Sequence, residues 1–282
     1  MMQIGYYPGC SLKGTSSEYA QSTLALAKIF NIQLIEIEYW NCCGATAAHN
    51  LNHRLAVALP ARILALAEKQ GLTEILVPCA ACYNRLSVTQ HELTTNEALK
   101  SQISQILQMS INGNIKILNV IQFIEKYFAE KIEEKIIKPF KYPVVCYYGC
   151  LLVRPHNILK FDRLEDPQSM DKLMQKIGAS SLNWAYKTEC CGGGLSIPRT
   201  DIVVKLCGEI IKDAVDRGAK AIIVACPMCQ SNLDMRQSQI NTYLQIKTNI
   251  PVIYIVQAIG LAIGIKKKDL GLKKLFVKPT FI

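Results

Sequence analysis

The chain has 282 residues, of which half are hydrophobic and 7% are aromatic. This length predicts two domains, each large enough to bury its own core, and this composition excludes a disordered or fibrous chain. The formal net charge is +10, but the lysines are scattered and no arginine-rich helix or interleaved aromatic stripe occurs, which argues against a nucleic-acid partner.

The first half alternates predicted strands and helices. Strands are expected at 4–7, 32–38, 74–78 and 115–118, and helices at 19–30, 51–70 and 119–128, with another helix starting at or just after Cys79. Cysteines follow the first three strands. Because the carboxyl ends of parallel strands lie at one edge of a sheet, we expect these cysteines to converge there.

The order of elements then starts again after residues 130–141, the predicted linker. Residues 144–150 mirror the first strand and its Tyr-Tyr pair, and further strands are expected at 182–186, 221–225 and 251–256, with helices at 171–177 and 202–217. The sequence therefore predicts an α/β fold of two similar domains, 1–135 and 136–282, each a small, mostly parallel sheet flanked by helices.

The chain lacks the charged and apolar segments of a secretory signal, so we expect a cytoplasmic protein. Its longest apolar run, residues 251–265, is interrupted by Gln257 and is too short to span a bilayer. It is predicted as a buried strand and helix, with membrane contact left open. In a reducing compartment, twelve cysteines indicate metal binding or catalysis rather than disulfides.

Ten of the cysteines form one pattern that occurs twice: a single Cys, then Cys-Cys-Gly, then Cys-x-x-Cys. A zinc site takes four ligands, and an ordinary iron–sulfur cube shows a compact run of cysteines that is absent here. Five thiols in each half suggest a larger or opened cluster, while a zinc-stabilised scaffold remains an alternative. The two sets are Cys10, Cys42, Cys43, Cys79 and Cys82, and Cys150, Cys190, Cys191, Cys226 and Cys229.

This pattern, together with the segments from Tyr6 to Gly14 and from Trp40 to Thr46, resembles the family of heterodisulfide reductase B subunits. The resemblance implies that each five-Cys set holds one noncubane [4Fe-4S] cluster. It also implies two partners, a ferredoxin-like iron–sulfur C subunit and a flavin-containing A subunit. The sequence has no G-x-G-x-x-G loop, so no flavin or nucleotide is expected on this chain.

The resemblance implies the interconversion of a disulfide and two thiols by one-electron steps at the two clusters. The substrate would be a CoM-S-S-CoB type disulfide or a carrier-bound sulfur compound, and we hypothesise that it lies between the halves, near Gly44 and Gly192 to Gly194. The alternative is one component of a non-classical succinate dehydrogenase that passes electrons to quinone. Residues 251–268, apolar and then basic, keep that alternative open.

A few other residues are weaker candidates. His49 and His53 follow the first Cys-Cys-Gly and could supply protons. Cys146 and Cys207 fall outside the pattern and are expected to be small buried residues. Lys187 is expected at the surface, although it could also meet an anionic substrate.

Overall fold

The computed structural model describes residues 2–282, apart from the side chain of His49. It contains two four-stranded parallel sheets flanked by helices. The predicted duplicated α/β fold is therefore confirmed. Among residues 2–282, the helices are all too short or too polar to cross a bilayer.

The first sheet has the strand order β2-β1-β3-β4, and every pair in it is parallel. Because its strands are parallel, each of them ends at the same edge of the sheet. They are β1 (Met2–Tyr6), β2 (Ile32–Glu36), β3 (Glu74–Leu76) and β4 (Lys116–Leu118). The helices are α1 (Gly9–Lys13), α2 (Ser17–Ile29), α3 (Ala48–Leu51), α4 (His53–Lys69), α5 (Ala80–Thr95), α6 (Glu97–Leu107) and α7 (Val120–Tyr127).

The second sheet repeats this topology with the order β6-β5-β7-β8, again parallel throughout. Its strands are β5 (Pro143–Tyr147), β6 (Ser180–Ser181), β7 (Ala221–Val224) and β8 (Val252–Tyr254). The helices are α8 (His156–Leu159), α9 (Ser169–Lys176), α10 (Thr200–Asp216), α11 (Pro227–Met235), α12 (Gln237–Leu244) and α13 (Ile255–Ala262). Three 3₁₀ turns lie at Glu133–Lys135, Gly193–Ser196 and Leu272–Lys274.

Local sequence accounts for where the long helices begin and end. The Asn52 side chain accepts a hydrogen bond from the Leu55 backbone and starts α4. Helices α4 and α10 each end shortly before a glycine with positive φ, Gly71 at +72° and Gly218 at +78°. The two helices thus end at equivalent positions, shortly before the strands β3 and β7 begin.

The predicted strand at 182–186 is wrong, because β6 is only Ser180–Ser181. The Leu182 N–H still donates to the Val144 carbonyl of β5, and after it other hydrogen bonds hold the chain in place. The Trp184 indole donates to the Cys146 carbonyl at 3.0 Å, and the backbone N–H groups of Tyr148 and Gly149 donate to the Lys187 carbonyl. The sequence prediction also missed helices α6 and α12.

The buried residues of the two sheets belong to one continuous apolar cluster, so the halves do not have separate main cores as expected. A smaller cluster lies under α4 and α6. The predicted linker at 130–141 also packs against the protein, since Ile132 and Phe140 are buried. The apolar run near the C-terminus forms the buried β8 and α13, as predicted.

Candidate functional site

The ten patterned cysteines follow strand ends, as the sequence predicts. In each half the single cysteine comes after the first strand, the Cys-Cys-Gly after the second, and the Cys-x-x-Cys after the third. Cys79 and Cys226 occupy the N-cap positions of α5 and α11. The positive ends of these helix dipoles favour negatively charged sulfur nearby.

The two halves bring their sulfurs together in the same way. Cys43 Sγ lies 3.2 Å from Cys82 Sγ, and Cys191 Sγ lies 3.6 Å from Cys229 Sγ. The Gly44 N–H donates to Cys42 Sγ at 3.4 Å. The Gly192 N–H donates to Cys190 Sγ at 3.3 Å. Among residues 2–282, no group of three or more His, Cys, Asp or Glu side chains has the geometry of a site for a metal ion.

Glycines keep the space beside these sulfurs clear. Gly9 and Gly149 have φ values of +65° and +69°, and a Cβ on either would lie 3.1 Å from the sulfur of Cys82 or Cys229. A side chain at these positions would thus be strained and would press on a Cys-x-x-Cys sulfur. The matching glycines show that both sites need the same close approach of backbone to sulfur.

A tyrosine in each half fixes the Cys-Cys dipeptide. The Tyr7 hydroxyl donates to the Asn41 carbonyl at 2.8 Å, and the Tyr147 hydroxyl donates to the Glu189 carbonyl at 2.6 Å. Both acceptors immediately precede the dipeptide. The repeat therefore aligns Tyr7 with Tyr147 and places Pro8 opposite Tyr148, so the expected match of the two Tyr-Tyr pairs is wrong by one residue.

The two sets meet at the boundary between the halves. Cys79 and Cys226 come from different halves, and the residues just before them are joined by a single side chain. Just before them in the chain, the carbonyls of Pro78 and Ala225 both accept a hydrogen bond from the Tyr19 hydroxyl, each at 3.3 Å. One buried tyrosine thus ties the two Cys-x-x-Cys motifs together.

Burial divides each set into outer and inner sulfurs. Cys10, Cys42 and Cys190 are exposed and Cys150 is partly exposed, while the other six cysteines of the two sets are buried. Donation from neighbouring thiols lowers the pKa of Cys43 to about 4 and that of Cys190 to about 6. The same hydrogen bonds raise the pKa of the donating thiols, Cys42 and Cys150. Each set thus contains at least one thiol that favours thiolate, the form that binds metal.

A cavity of about 80 Å³ lies against the second set. All five cysteines of that set line it, while the first half contributes Ala45, Thr46, Ala80 and Ala81. Gly193 and Gly194 also line it, and a Cβ on Gly194 would lie 3.8 Å from Thr46 Cγ2, so the two Cys-Cys-Gly loops meet here. No acidic, lysine, arginine or histidine side chain lines it, although the chain as a whole is strongly basic.

The donor set fits an iron–sulfur cluster. Each half offers five thiols, three of them buried, and a backbone N–H group that is directed at one sulfur. The cysteines of each set are therefore suited to binding such a group. Gly9 and Gly149 leave space beside the sulfurs of Cys82 and Cys229.

The weaker candidates are placed elsewhere. His53 is exposed and pairs with Glu92 at 3.4 Å, and the extended backbone of Asn52 separates it from the short helix that contains His49. The His49 side chain lies outside the described residues. Cys146 and Cys207 are fully buried, as predicted.

Lys187 is buried, so its expected surface position is wrong. Only 2% of its side chain is exposed, and its Nζ lies 2.9 Å from an Asp166 oxygen and 3.4 Å from an Asp171 oxygen. The ammonium also donates to the Pro167 carbonyl at 3.0 Å. Two carboxylates and a carbonyl thus compensate for the loss of water around this charge.

Two buried asparagines near the site were missed from the sequence. Asn84 on α5 donates to the carbonyls of Leu151 and Arg154, so the first half holds the loop that follows Cys150. Asn232 on α11 donates to the Cys191 carbonyl at 3.0 Å. Both could have been identified from the sequence, because each is a polar residue that follows a Cys-x-x-Cys motif at the start of a helix.

The comparisons with known proteins agree with this duplicated arrangement. The model of a cysteine-rich domain, CCG, matches residues 4–87 and 144–234. The chain is 30% identical to the membrane anchor of the 8-methylmenaquinol:fumarate reductase of Wolinella succinogenes, over 99% of this chain and 98% of that protein. It is 26% identical to the B subunit of the ferredoxin:CoB-CoM heterodisulfide reductase of Methanosarcina mazei, over 97% and 93% of the two chains.

A third relative, from Archaeoglobus profundus, is named as similar to the heterodisulfide reductase B subunit and is 28% identical over 94% of this chain and 91% of that one. A solved structure, a hypothetical protein from Helicobacter pylori, shares the fold with a TM-score of 0.81 at 15% identity. The similarity covers 99% of this chain but about half, 53%, of that structure. The two matched domains and the nearly full-length relatives show that this chain belongs to the CCG cysteine-rich domain family, which it carries in duplicate.

Proposed function

We propose that this chain is an iron–sulfur oxidoreductase subunit that holds two noncubane [4Fe-4S] clusters. The observation that carries the proposal is the pair of matched five-thiol sets, whose Cys-x-x-Cys motifs are joined through the Tyr19 hydroxyl. The first cluster would be held by Cys10, Cys42, Cys43, Cys79 and Cys82, and the second by Cys150, Cys190, Cys191, Cys226 and Cys229. Each set would lie in its own domain, residues 1–135 and 136–282.

The reaction proposed is the interconversion of a disulfide and two thiols. Cleaving one disulfide takes two electrons and two protons and yields two thiols, and the bound clusters would supply the electrons one at a time. Thr46 and Gly194 face each other where the two Cys-Cys-Gly loops meet. The substrate would approach the second set along this side, between the halves.

The cavity restricts the chemistry of that substrate. No lysine, arginine or histidine side chain lines it, and an anionic group is costly to bury without a cationic partner. The reacting part of the substrate is therefore uncharged. In a CoM-S-S-CoB type disulfide or a carrier-bound sulfur substrate, the anionic ends would remain outside the cavity, where the basic surface of the chain favours them.

The electrons would come from other proteins of a cytoplasmic complex. The relatives from Methanosarcina and Archaeoglobus are named as B subunits of heterodisulfide reductases or as similar to them. We propose a ferredoxin-like iron–sulfur C subunit and a flavin-containing A subunit as the partners of this chain.

A second candidate is electron exchange with a quinone, as the CCG-type component of a non-classical succinate dehydrogenase or fumarate reductase. Two observations favour it. The Wolinella relative, 30% identical over nearly its whole length, is named for 8-methylmenaquinol and fumarate. The uncharged lining of the cavity also suits a quinone ring.

Anaerobic reconstitution followed by electron paramagnetic resonance tests the proposal and separates its two substrate classes. The disulfide proposal expects that an added thiol changes the spectrum of the oxidised protein and that a soluble quinone analogue does not. The quinone proposal expects the opposite. A Gly194→Leu variant, which fills the side of the cavity next to Thr46, should weaken either effect, while Gly194→Ala should preserve it. Protein that binds zinc and no iron would refute both.

A further inference from the structure

A buried asparagine distinguishes the second cysteine set from the first. Asn232 is 2% exposed and lies on α11, three residues after Cys229. Its Nδ2 donates to the carbonyls of Cys191 and Gly193, at 3.0 and 3.5 Å, and lies 3.8 Å from Cys191 Sγ. The amide therefore holds the Cys-Cys-Gly loop and also presents N–H to one of the proposed ligand sulfurs.

A second side chain donates to the same cysteine. The buried Cys207 on α10 donates from its thiol to the Cys191 carbonyl at 3.4 Å. The carbonyl of Cys191 thus accepts from two side chains, and both draw electron density from the residue that carries the sulfur. Cys207 lies outside the cysteine pattern, but it contacts Cys191, which belongs to the second set.

The first half carries different residues at the matching positions. Cys79 and Cys226, Cys82 and Cys229, and Gly71 and Gly218 are each 147 residues apart in the sequence. The same spacing places Arg85 at the position of Asn232 and Pro60 at the position of Cys207. The ring of Pro60 has no donor, and the side chain of Arg85 is partly exposed.

The backbone donors, by contrast, are matched. The N–H groups of Gly44 and Gly192 donate to Cys42 and Cys190 at nearly the same distance, 3.4 and 3.3 Å. Their effects on the two sites are therefore similar. The first set also has a side-chain donor to a cysteine carbonyl, since Asn41 Nδ2 donates to Cys42 at 2.9 Å, but that hydrogen bond is exposed. What differs is the pair of buried side-chain donors at Cys191.

We infer that Asn232, assisted by Cys207, raises the reduction potential of the cluster held by the second set. A hydrogen bond to a ligand sulfur or its residue stabilises the more negative, reduced state of a cluster, and a buried site with few competing dipoles strengthens that effect. The inference rests on the proposed function.

The position of the cavity indicates what a higher reduction potential at the second set would do. The cavity is lined by cysteines of the second set and by none of the first. A raised potential would favour an electron resting on the cluster beside the cavity, and two electrons that arrive there in succession, with two protons, would convert a disulfide to two thiols. The reductant is a one-electron iron–sulfur or flavin protein. Asn232 is a positioning residue in this account, since it acts through Cys191.

The test is a redox titration of the full chain, reconstituted anaerobically and followed by electron paramagnetic resonance. Wild type is compared with Asn232→Leu, Asn232→Asp and Cys207→Ala, and a Cys190→Ser variant assigns the signals to the two sets. Asn241→Leu is the control, because Asn241 also donates to a backbone carbonyl, that of Thr248, outside the cysteine sets. The first-set signal serves as an internal standard in every sample.

We expect the midpoint potential of the second-set signal to fall in Asn232→Leu, to fall further in Asn232→Asp because of the added charge, and to fall least in Cys207→Ala. The first-set signal and the Asn241→Leu protein should match wild type. An unchanged second-set midpoint with both clusters present would overturn the inference, and so would loss of the second cluster from both Asn232 variants. Wild-type protein without iron would instead overturn the proposed function, and the inference with it.

Discussion

The ring of Tyr19 lies parallel to the ring of Tyr254, with 3.9 Å between the centroids and 4° between the planes. Tyr19 belongs to α2 and Tyr254 to β8, so the stack joins the two halves. Since the Tyr19 hydroxyl also donates to the carbonyls before Cys79 and Cys226, this contact sets how the two cysteine sets face each other. The sites are therefore built jointly by both halves.

Tyr19→Phe should lower the free energy of unfolding by about 1 kcal/mol, because it removes two buried hydrogen bonds and keeps the ring stack. Urea denaturation of the apo protein measures this. Tyr254→Phe is the matched control, since its hydroxyl makes a longer contact, 3.4 Å to the Gln230 side chain. Equal stability of Tyr19→Phe and wild type would show that the bifurcated hydrogen bond contributes nothing.

Gly9→Ala should reduce the iron content of the reconstituted protein, because the new methyl group would lie 3.1 Å from the Cys82 sulfur. Gly71→Ala is the control for backbone strain. Its φ of +72° is similar, yet nothing lies within 4 Å of the added Cβ. Both variants should lose about 1 kcal/mol of stability.

Only Gly9→Ala should also lose iron. Gly149→Ala and Gly218→Ala repeat the comparison in the second half, where a Cβ on Gly149 meets the Cys229 sulfur and one on Gly218 meets nothing. Iron and sulfide analysis gives the answer. Equal iron in all four variants would mean that the sulfurs have room to shift.

Lys187→Met should lower the free energy of unfolding by about 3–5 kcal/mol, because it leaves the buried Asp171 carboxylate without its cation. Lys13→Met removes an exposed pair with Glu36 and should cost at most about 1 kcal/mol. Chemical denaturation of both variants measures the difference. A similar small loss in both would mean that water reaches Asp171 when Lys187 is gone.

Periodicity and glycine positions were sufficient to predict the parallel sheets and the convergence of the cysteines, because a parallel strand delivers the residue after it to a fixed edge. They were not sufficient for Lys187 or Asn232. A buried lysine is identified only by Asp166 and Asp171, which are distant in the sequence and arrive from another loop and helix. Strand β6 was misplaced for a related reason, since side-chain hydrogen bonds rather than alternation guide the chain after Ser181.

The contact between the halves could not be predicted from the sequence either. The spacing indicated two repeated units, but Tyr19 reads as an ordinary helix residue until Tyr254 is placed against it. Asn84 likewise acts on a loop of the other half. Contacts between repeats follow no local period, so the joint construction of the two sites required the structure.

Asp234 should make the stability of the protein depend on pH. Burial raises the pKa of its carboxyl group, although the backbone N–H groups of Phe276 and Val277 donate to it. The folded state therefore binds the proton more tightly than the unfolded state, whose pKa is about 3.9. The contribution of this group to stability is complete below that value and is lost as pH rises through the raised pKa.

Urea midpoints at pH 4 and pH 7 should accordingly differ more in wild type than in Asp234→Asn, which has no proton to release. Comparing the two proteins at both values cancels the titration of other groups. Because Asp234 holds the segment that contains Phe276, the lost stability should show as weaker docking of the C-terminus, which proteolysis at the two pH values would detect. An identical pH response in both proteins would mean that the N–H groups of Phe276 and Val277 fully offset the burial of the carboxylate.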